Sequence, residues 1–169
     1  MKTLLMKLSE GDGKLPPKAS IRDIVFAGVG GGIVTAILAS ASLGLEVALI
    51  LGSFGASCVL VFGYPNVPFS QPRNVVLGHF FSSLVGIICF VNFGETWWSV
   101  AIAISLAIMI MMATRTVHPP AGSNPIIIFL SGASWEFLFF PTLIGSVILV
   151  GIALIYNNLR RGEYYPEYW

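Results

Sequence analysis

Residues 118 to 125 read HPPAGSNP, a histidine, three prolines, a glycine, a serine and an asparagine set inside a strongly apolar chain. Proline suits the first position of a helix, where its missing N–H is no loss and its fixed φ is pre-organised. With Pro119 or Pro120 there, the amides of Ala121, Gly122, Ser123 and Asn124 are expected to point together from the helix start. Unpaired N–H groups and the positive end of the helix dipole favour an anion. Gly122 would let a ligand approach the backbone, and Ser123 and Asn124 add side-chain donors. A second stretch, SFGAS at 53 to 57, offers Ser53, Gly55, Ala56 and Ser57 as a matching half. His118 is the titratable group of the motif whose unperturbed pKa, about 6.5, lies near physiological pH, so it could couple anion movement to a proton. Its alternative is to cap the break or bond a neighbouring carbonyl. His79 is either a ligand or a histidine satisfied by packing, and Ser57, Ser123 and Asn124 alternatively cap the breaks and bind nothing.

The surrounding chain must hold these residues in a bilayer. Of 169 residues, 56% are hydrophobic and only 10% charged, against roughly 25% charged in a soluble domain. Runs such as 24–45 and 137–157 match the roughly 20 apolar residues that a membrane helix needs. They are continuously apolar where barrel strands would alternate, so the expected class is all-α and polytopic.

Between residues 24 and 159 only five residues carry formal charge: Glu46, Arg73, Glu95, Arg115 and Glu136. Their signs alternate, and they cut the chain into six pieces of 19 to 26 residues, each near one bilayer crossing at about 1.5 Å per residue. Lys and Arg gather in cytoplasmic turns, so six crossings put all nine basic residues on the cytoplasmic face with both termini. A competing arrangement has four crossings and two re-entrant loops, also with both termini inside, but with Arg73 and Arg115 outside.

Four segments, about 24–44, 74–92, 97–114 and 137–157, read as long membrane helices. Two, 47–64 and 116–135, contain glycine and proline that break a helix or halve its length. These are the second and fifth of six. GASCVLVF (55–62) and AGSNPIIIF (121–129) share small residues, a serine and an apolar run ending in phenylalanine. The expectation is a 3+3 inverted repeat with halves at about 24–94 and 97–157, since interrupted helices at matching positions mark transporter binding sites. Residues 1–23 form a basic cytoplasmic tail, with no signal peptide, and 158–169 a C-terminal tail.

A net charge of +1 and the lack of a basic, aromatic-interleaved stripe argue against nucleic acid. Cys58 and Cys89 lack metal or redox spacing and read as buried hydrophobes; no metal or cofactor is expected. Gly28 and Gly32 are spaced for close helix approach. Trp97, Trp98 and Trp135 fit an interfacial belt. An intramembrane enzyme using Ser57, Ser123, His79 and His118 would lack a buried acid to orient its histidine, so no enzyme is expected. A non-transporting assembly or regulatory subunit stays open, as does cation conduction if helix C-termini meet at the centre. A chain this short has little material to enclose a pathway alone, which suggests a homo-oligomer in the plasma or inner membrane.

HPPAGSNP, read with SFGASCVLVFG and FSQPRNVVLGH, resembles the HPP family of integral membrane proteins over residues 20–157. The matching positions are Ser53, Gly55, Ala56, Ser57, Gln71, Pro72, Arg73, Asn74, Gly78, His79, His118, Pro119, Pro120, Ala121 and Gly122; Asn124 and Pro125 depart from the family pattern. The resemblance implies four membrane spans and transport, with nitrite as the first candidate because members of photosynthetic cells and chloroplasts are implicated in moving it. Arg73 and Arg115 would then draw a small anion towards a site built from Ser53 to Ser57, His79 and His118 to Asn124. Some relatives carry C-terminal CBS modules, which are not expected in this chain.

Overall fold

The computed structural model describes residues 14–160 and 164–169, and every regular element among them is helical. The outermost tail lysines, Lys2 and Lys7, and Arg161 lie outside the described residues. Helix α1, Ile21–Leu45, begins three residues before the apolar run, because Ser20 accepts a hydrogen bond from the Asp23 amide at 3.2 Å and fixes the start there. Helix α2, Gly52–Cys58, follows an extended lead and continues through a wider turn, Val59–Gly63. Helix α3, Pro72–Phe93, starts on a proline, and α4, Trp97–Ala113, starts at a Thr96 cap. A tight 3-10 turn, Pro119–Ser123, opens the short helix α5, Asn124–Ser131, which ends at left-handed Gly132. The last helical run opens with a 3-10 turn, Trp135–Leu138, passes a break at Phe140 and becomes α6, Ile144–Arg160.

Three helical runs, Ile21–Leu45, Pro72–Phe93 and Trp135–Leu159, are long and apolar enough to cross a membrane, and Trp97–Ala113 is a shorter apolar helix. The sequence reading took 137–157 as one uninterrupted helix. The structure corrects this: Phe140 leaves helical geometry at φ −122°, ψ 113°, just before Pro141, which supplies no amide for the ladder.

The outer helices are apolar all round but bury only a narrow stripe. In α1 the buried positions are Phe26, Gly30, Val34 and Leu38, while Val25, Val29, Ile33 and Ile37 face outward. In α4 Ser99, Ala103, Ala107 and Met111 face in, and Ile102, Leu106 and Met109 face out. An i, i+4 stripe of small and medium residues under an apolar outer surface is the pattern of a helix whose solvent is lipid. The close approach in α1 occurs at Gly30, where a Cβ would lie 2.6 Å from the Phe62 ring and 2.8 Å from Tyr156; Gly28 and Gly32 face open space. The glycine spacing therefore pointed to the right segment but the wrong helix face.

Contacts sort the turns into two ends. At one, Tyr156 stacks on Phe26 at 4.2 Å, Asn157 donates to the Val61 carbonyl, and Arg73 donates to the Thr114 carbonyl at 3.0 Å. The C-terminal tail docks there too: Tyr165 Oη donates to the Ser70 carbonyl, and the Glu167 amide donates to Gln71 Oε1. At the other end Ser42 bonds the Val47 carbonyl, Phe93 meets Trp98, and Gly145 lies against Leu49 and Phe54. Arg22, Arg73, Arg115 and Arg160 belong to the first end, and Glu46, Glu95 and Glu136 to the second. Segments 46–63 and 114–131 run between the ends as an extended lead followed by a short helix.

Two crossings echo one another. A Cβ on Gly78 of α3 would lie 2.8 Å from the Thr116 carbonyl oxygen and 2.8 Å from His118 Cβ; one on Gly145 of α6 would lie 2.8 Å from the Leu49 carbonyl oxygen and 2.6 Å from the Phe54 ring. Thr116 and Leu49 each stand three residues before the first helical residue of a short segment, Pro119 and Gly52. Glu46 and Arg115, which open the two leads, are the non-glycine residues with positive φ among those described, at 54° and 57°.

Candidate functional site

Helix α3 is the central strut, with apolar clusters on either side: Val34, Leu49, Phe54, Phe62 and Leu149 on one, Val85, Ile87, Ile128 and Phe129 on the other. Between them lies a polar knot. Ser57, His79, His118, Asn124, Ser82 and Ser83 are each 0% exposed, and Ser53 is 3% exposed.

The two short helical segments meet here. Ser57 Oγ lies 2.8 Å from His118 Nε2, joining residues 61 positions apart. His118 Nδ1 is 2.6 Å from the Phe69 carbonyl oxygen. A carbonyl only accepts, so Nδ1 carries the hydrogen, and Nε2 of the neutral ring is an acceptor for the Ser57 hydroxyl. That hydroxyl also sits 3.1 Å from the Ser53 carbonyl and has one proton for two acceptors.

His79 obeys the same logic. Its Nδ1 is 2.9 Å from the Val75 carbonyl of its own helix, so Nδ1 is the donor and Nε2 faces away from that bond. The ring packs 4.8 Å from His118 and 5.1 Å from Phe54, centroid to centroid. Asn124 Nδ2 donates to Ser83 Oγ at 2.9 Å and reaches the His79 carbonyl at 3.4 Å, which turns Oδ1 the other way. Ser83 in turn bonds Thr142 at 3.0 Å, and Ser82 donates to the Ala121 carbonyl at 2.6 Å. Three polar atoms of this knot, Ser53 Oγ, His79 Nε2 and Asn124 Oδ1, are buried without a partner.

The amide cradle expected at Pro119 to Asn124 is not free. The Ala121 amide donates to the His118 carbonyl at 3.0 Å, the Asn124 amide donates to the Ala121 carbonyl, and Ser123 Oγ donates to the Pro120 carbonyl at 2.9 Å. A 3-10 turn closes on itself within three residues, so its donors are consumed before a ligand can use them. Pro120 and Ala121 are buried, Gly122 and Ser123 are half-buried, and Gly55, Ala56 and Pro119 face outward. Nothing lies near a Cβ at Gly55 or Gly122. Arg73 and Arg115 are exposed at the basic end, away from the knot. Arg115 borders a shallow cleft with Phe69, Asn74, Val117 and Tyr168, beside the residues that hold His118. Of the residues expected from sequence, Ser53, Ser57, His79, His118 and Asn124 come together.

Ser82, Ser83 and Thr142 were missed. A signal existed: Ser82 and Ser83 stand three and four residues after His79, on the same face of α3, and hydroxyls in an apolar helix need a partner. Cys58 and Cys89 are free and buried, as expected. The described residues contain no group of three or more potential metal-ligating His, Cys, Asp or Glu side chains.

Among known proteins, two transmembrane proteins of Dictyostelium discoideum are similar to this chain. One is 36% identical over 96% of the chain and 61% of its own length. The other is 37% identical over 95% of the chain and 55% of its own length. The chain thus spans little more than half the length of these relatives. No solved structure matches it. The family model for the HPP transmembrane region matches residues 16–166, which takes in both short helical segments and the polar knot between them; the chain belongs to the HPP transmembrane family.

Proposed function

We propose that the protein moves a small inorganic anion across a membrane through the knot where its two interrupted segments meet, with nitrite the first anion to test. One observation carries this reading: three buried polar atoms without partners lie at that junction. An unpaired buried polar atom costs about 1–3 kcal/mol, so three together argue for an occupant. The basic end, with Arg73 and Arg115 exposed on it, favours an anion arriving there. No Asp or Glu is among the buried residues described, so a cation would find no counter-charge in the interior.

In this reading the chain crosses the bilayer six times as a 3+3 inverted repeat, and the matched crossings at Gly78 and Gly145 support it. The basic end is cytoplasmic, the membrane is the plasma or inner membrane, and the outward-facing apolar surface seats a homo-oligomer. The native thiols are buried, so single cysteines placed at Arg73, Arg115 and Glu95 report sidedness cleanly. Impermeant maleimide should label the first two from the cytoplasmic side and the third from outside. Labelling of Arg73→Cys and Arg115→Cys from outside would refute six crossings in favour of four with two re-entrant loops.

Ser57 and His118 also favour a second reading, since a hydroxyl 2.8 Å from an imidazole that is itself oriented by a third group has the form of a nucleophile and base. The orienting group is a backbone carbonyl, with no charge to stabilise an imidazolium, and Ser57 is fully buried. One experiment separates the two. Protein in liposomes should pass nitrite, Ser57→Ala should slow it at least about tenfold, roughly 1.4 kcal/mol of barrier, and a fluorophosphonate should leave Ser57 unmodified. Stoichiometric labelling of Ser57 without anion flux would establish the hydrolase instead.

A further inference from the structure

The unpartnered atoms specify more than polarity, because their hydrogen-bonding roles are fixed by their neighbours. With Nδ1 of His79 committed as a donor to the Val75 carbonyl, Nε2 of the neutral ring is a bare lone pair. With Nδ2 of Asn124 committed to Ser83 and the His79 carbonyl, Oδ1 is a second bare acceptor. Only Ser53 Oγ can donate. In its neutral state the knot therefore offers two acceptors and one donor, which repels an anion. Adding one proton to His79 turns Nε2 into a charged donor, so that Nε2–H and the Ser53 hydroxyl can both donate to an anion.

We propose, resting on the transport reading, that the site takes up its anion together with one proton, held on Nε2 of His79, so that the pair crosses as the equivalent of the neutral acid. The proton balance is simple. His79 Nε2 gains a proton from the aqueous side when the anion binds, and that proton leaves with the anion when it is released. One proton is the limit, because a second charge on His118, 4.8 Å away between ring centroids, would be opposed by the first. His118 is the titratable group against His79. From α2 the ring meets Phe54, and Ser53 and Ser57 belong to the same knot; from α5 comes Asn124, and from the α6 run Thr142 reaches the knot through Ser83. No Asp, Glu, Lys or Arg among the described residues is buried there. His118 is not hydrogen-bonded to His79, since its own ring nitrogens are committed to the Phe69 carbonyl and to Ser57.

The test is calorimetric titration of the detergent-solubilised protein with nitrite in two buffers of different ionisation enthalpy, which counts protons taken up per anion bound. About one proton per nitrite is expected near pH 7.5 for the wild type, and about none for His79→Gln, whose amide can donate but cannot titrate. Ammonium, which brings its own donors, is the second probe. Nitrite binding without proton uptake by the wild type overturns the inference, and so does saturable binding of ammonium in place of nitrite, or no binding of nitrite, nitrate, formate or chloride. Proton-linked nitrite binding with no flux in liposomes would sink the transport reading alone, and flux with no proton uptake would sink this one alone.

Discussion

Gly78→Ala is expected to destabilise the protein and, under the proposed transport function, to abolish anion flux, although alanine normally strengthens a helix. The new methyl would stand 2.8 Å from the Thr116 carbonyl oxygen and 2.8 Å from His118 Cβ. A backbone oxygen inside a packed lead cannot step aside as a flexible side chain would. Overpacking of this kind costs about 1–3 kcal/mol, against a helix-propensity gain of up to about 1 kcal/mol, so the clash prevails. The lead that gives way carries the Val117 carbonyl, which accepts from Asn74 at 2.9 Å, and His118 itself. Thermal unfolding in detergent should fall by roughly 2–4 °C per kcal/mol lost. Gly122→Ala, which meets open space, should leave both stability and flux close to wild type. If the two variants behaved alike, the close crossing would not be what holds the site.

His118→Ala should be the most damaging change in the knot. It orphans the Phe69 carbonyl, releases Ser57 and opens a ring-sized void between α3 and the two short segments. Losing a buried hydrogen bond while leaving its partner unsatisfied costs about 1–3 kcal/mol, and a large-to-small change in a packed interior typically adds to that, for roughly 2–5 kcal/mol altogether. Ser57→Ala removes one hydroxyl and very little volume, and its cost should stay near 1 kcal/mol. Denaturant titration of both variants in micelles reads the difference; equal destabilisation would mean that the Phe69 bond contributes nothing.

Local signals were legible in the sequence because they need no partner. Apolar run lengths located the helical runs, although of the four expected to be long only three are long enough to cross a membrane, and the prolines at 119, 120 and 125 marked the fifth segment as interrupted. The same reasoning applied to Pro141 would have revealed the break at Phe140, but the greasy run around it masked that proline. Long-range choices were not legible. Nothing in SFGAS says that Ser57 will face a histidine 61 positions away, and nothing in GVGGG says which glycine meets Phe62, since helix rotation is set by what packs against it. The amide cradle failed for a related reason: a run of small residues after two prolines can start an open helix end or close a 3-10 turn, and the chain takes the turn.

The docked tail bears on the imidazole more directly than its distance in sequence suggests. Tyr165 grips the carbonyl of Ser70, the residue immediately after Phe69, whose own carbonyl steadies His118. A tug on the final residues is thus transmitted through a single peptide linkage to the ring at the heart of the bundle. Anything tethered beyond Trp169 would have a mechanical handle on that ring.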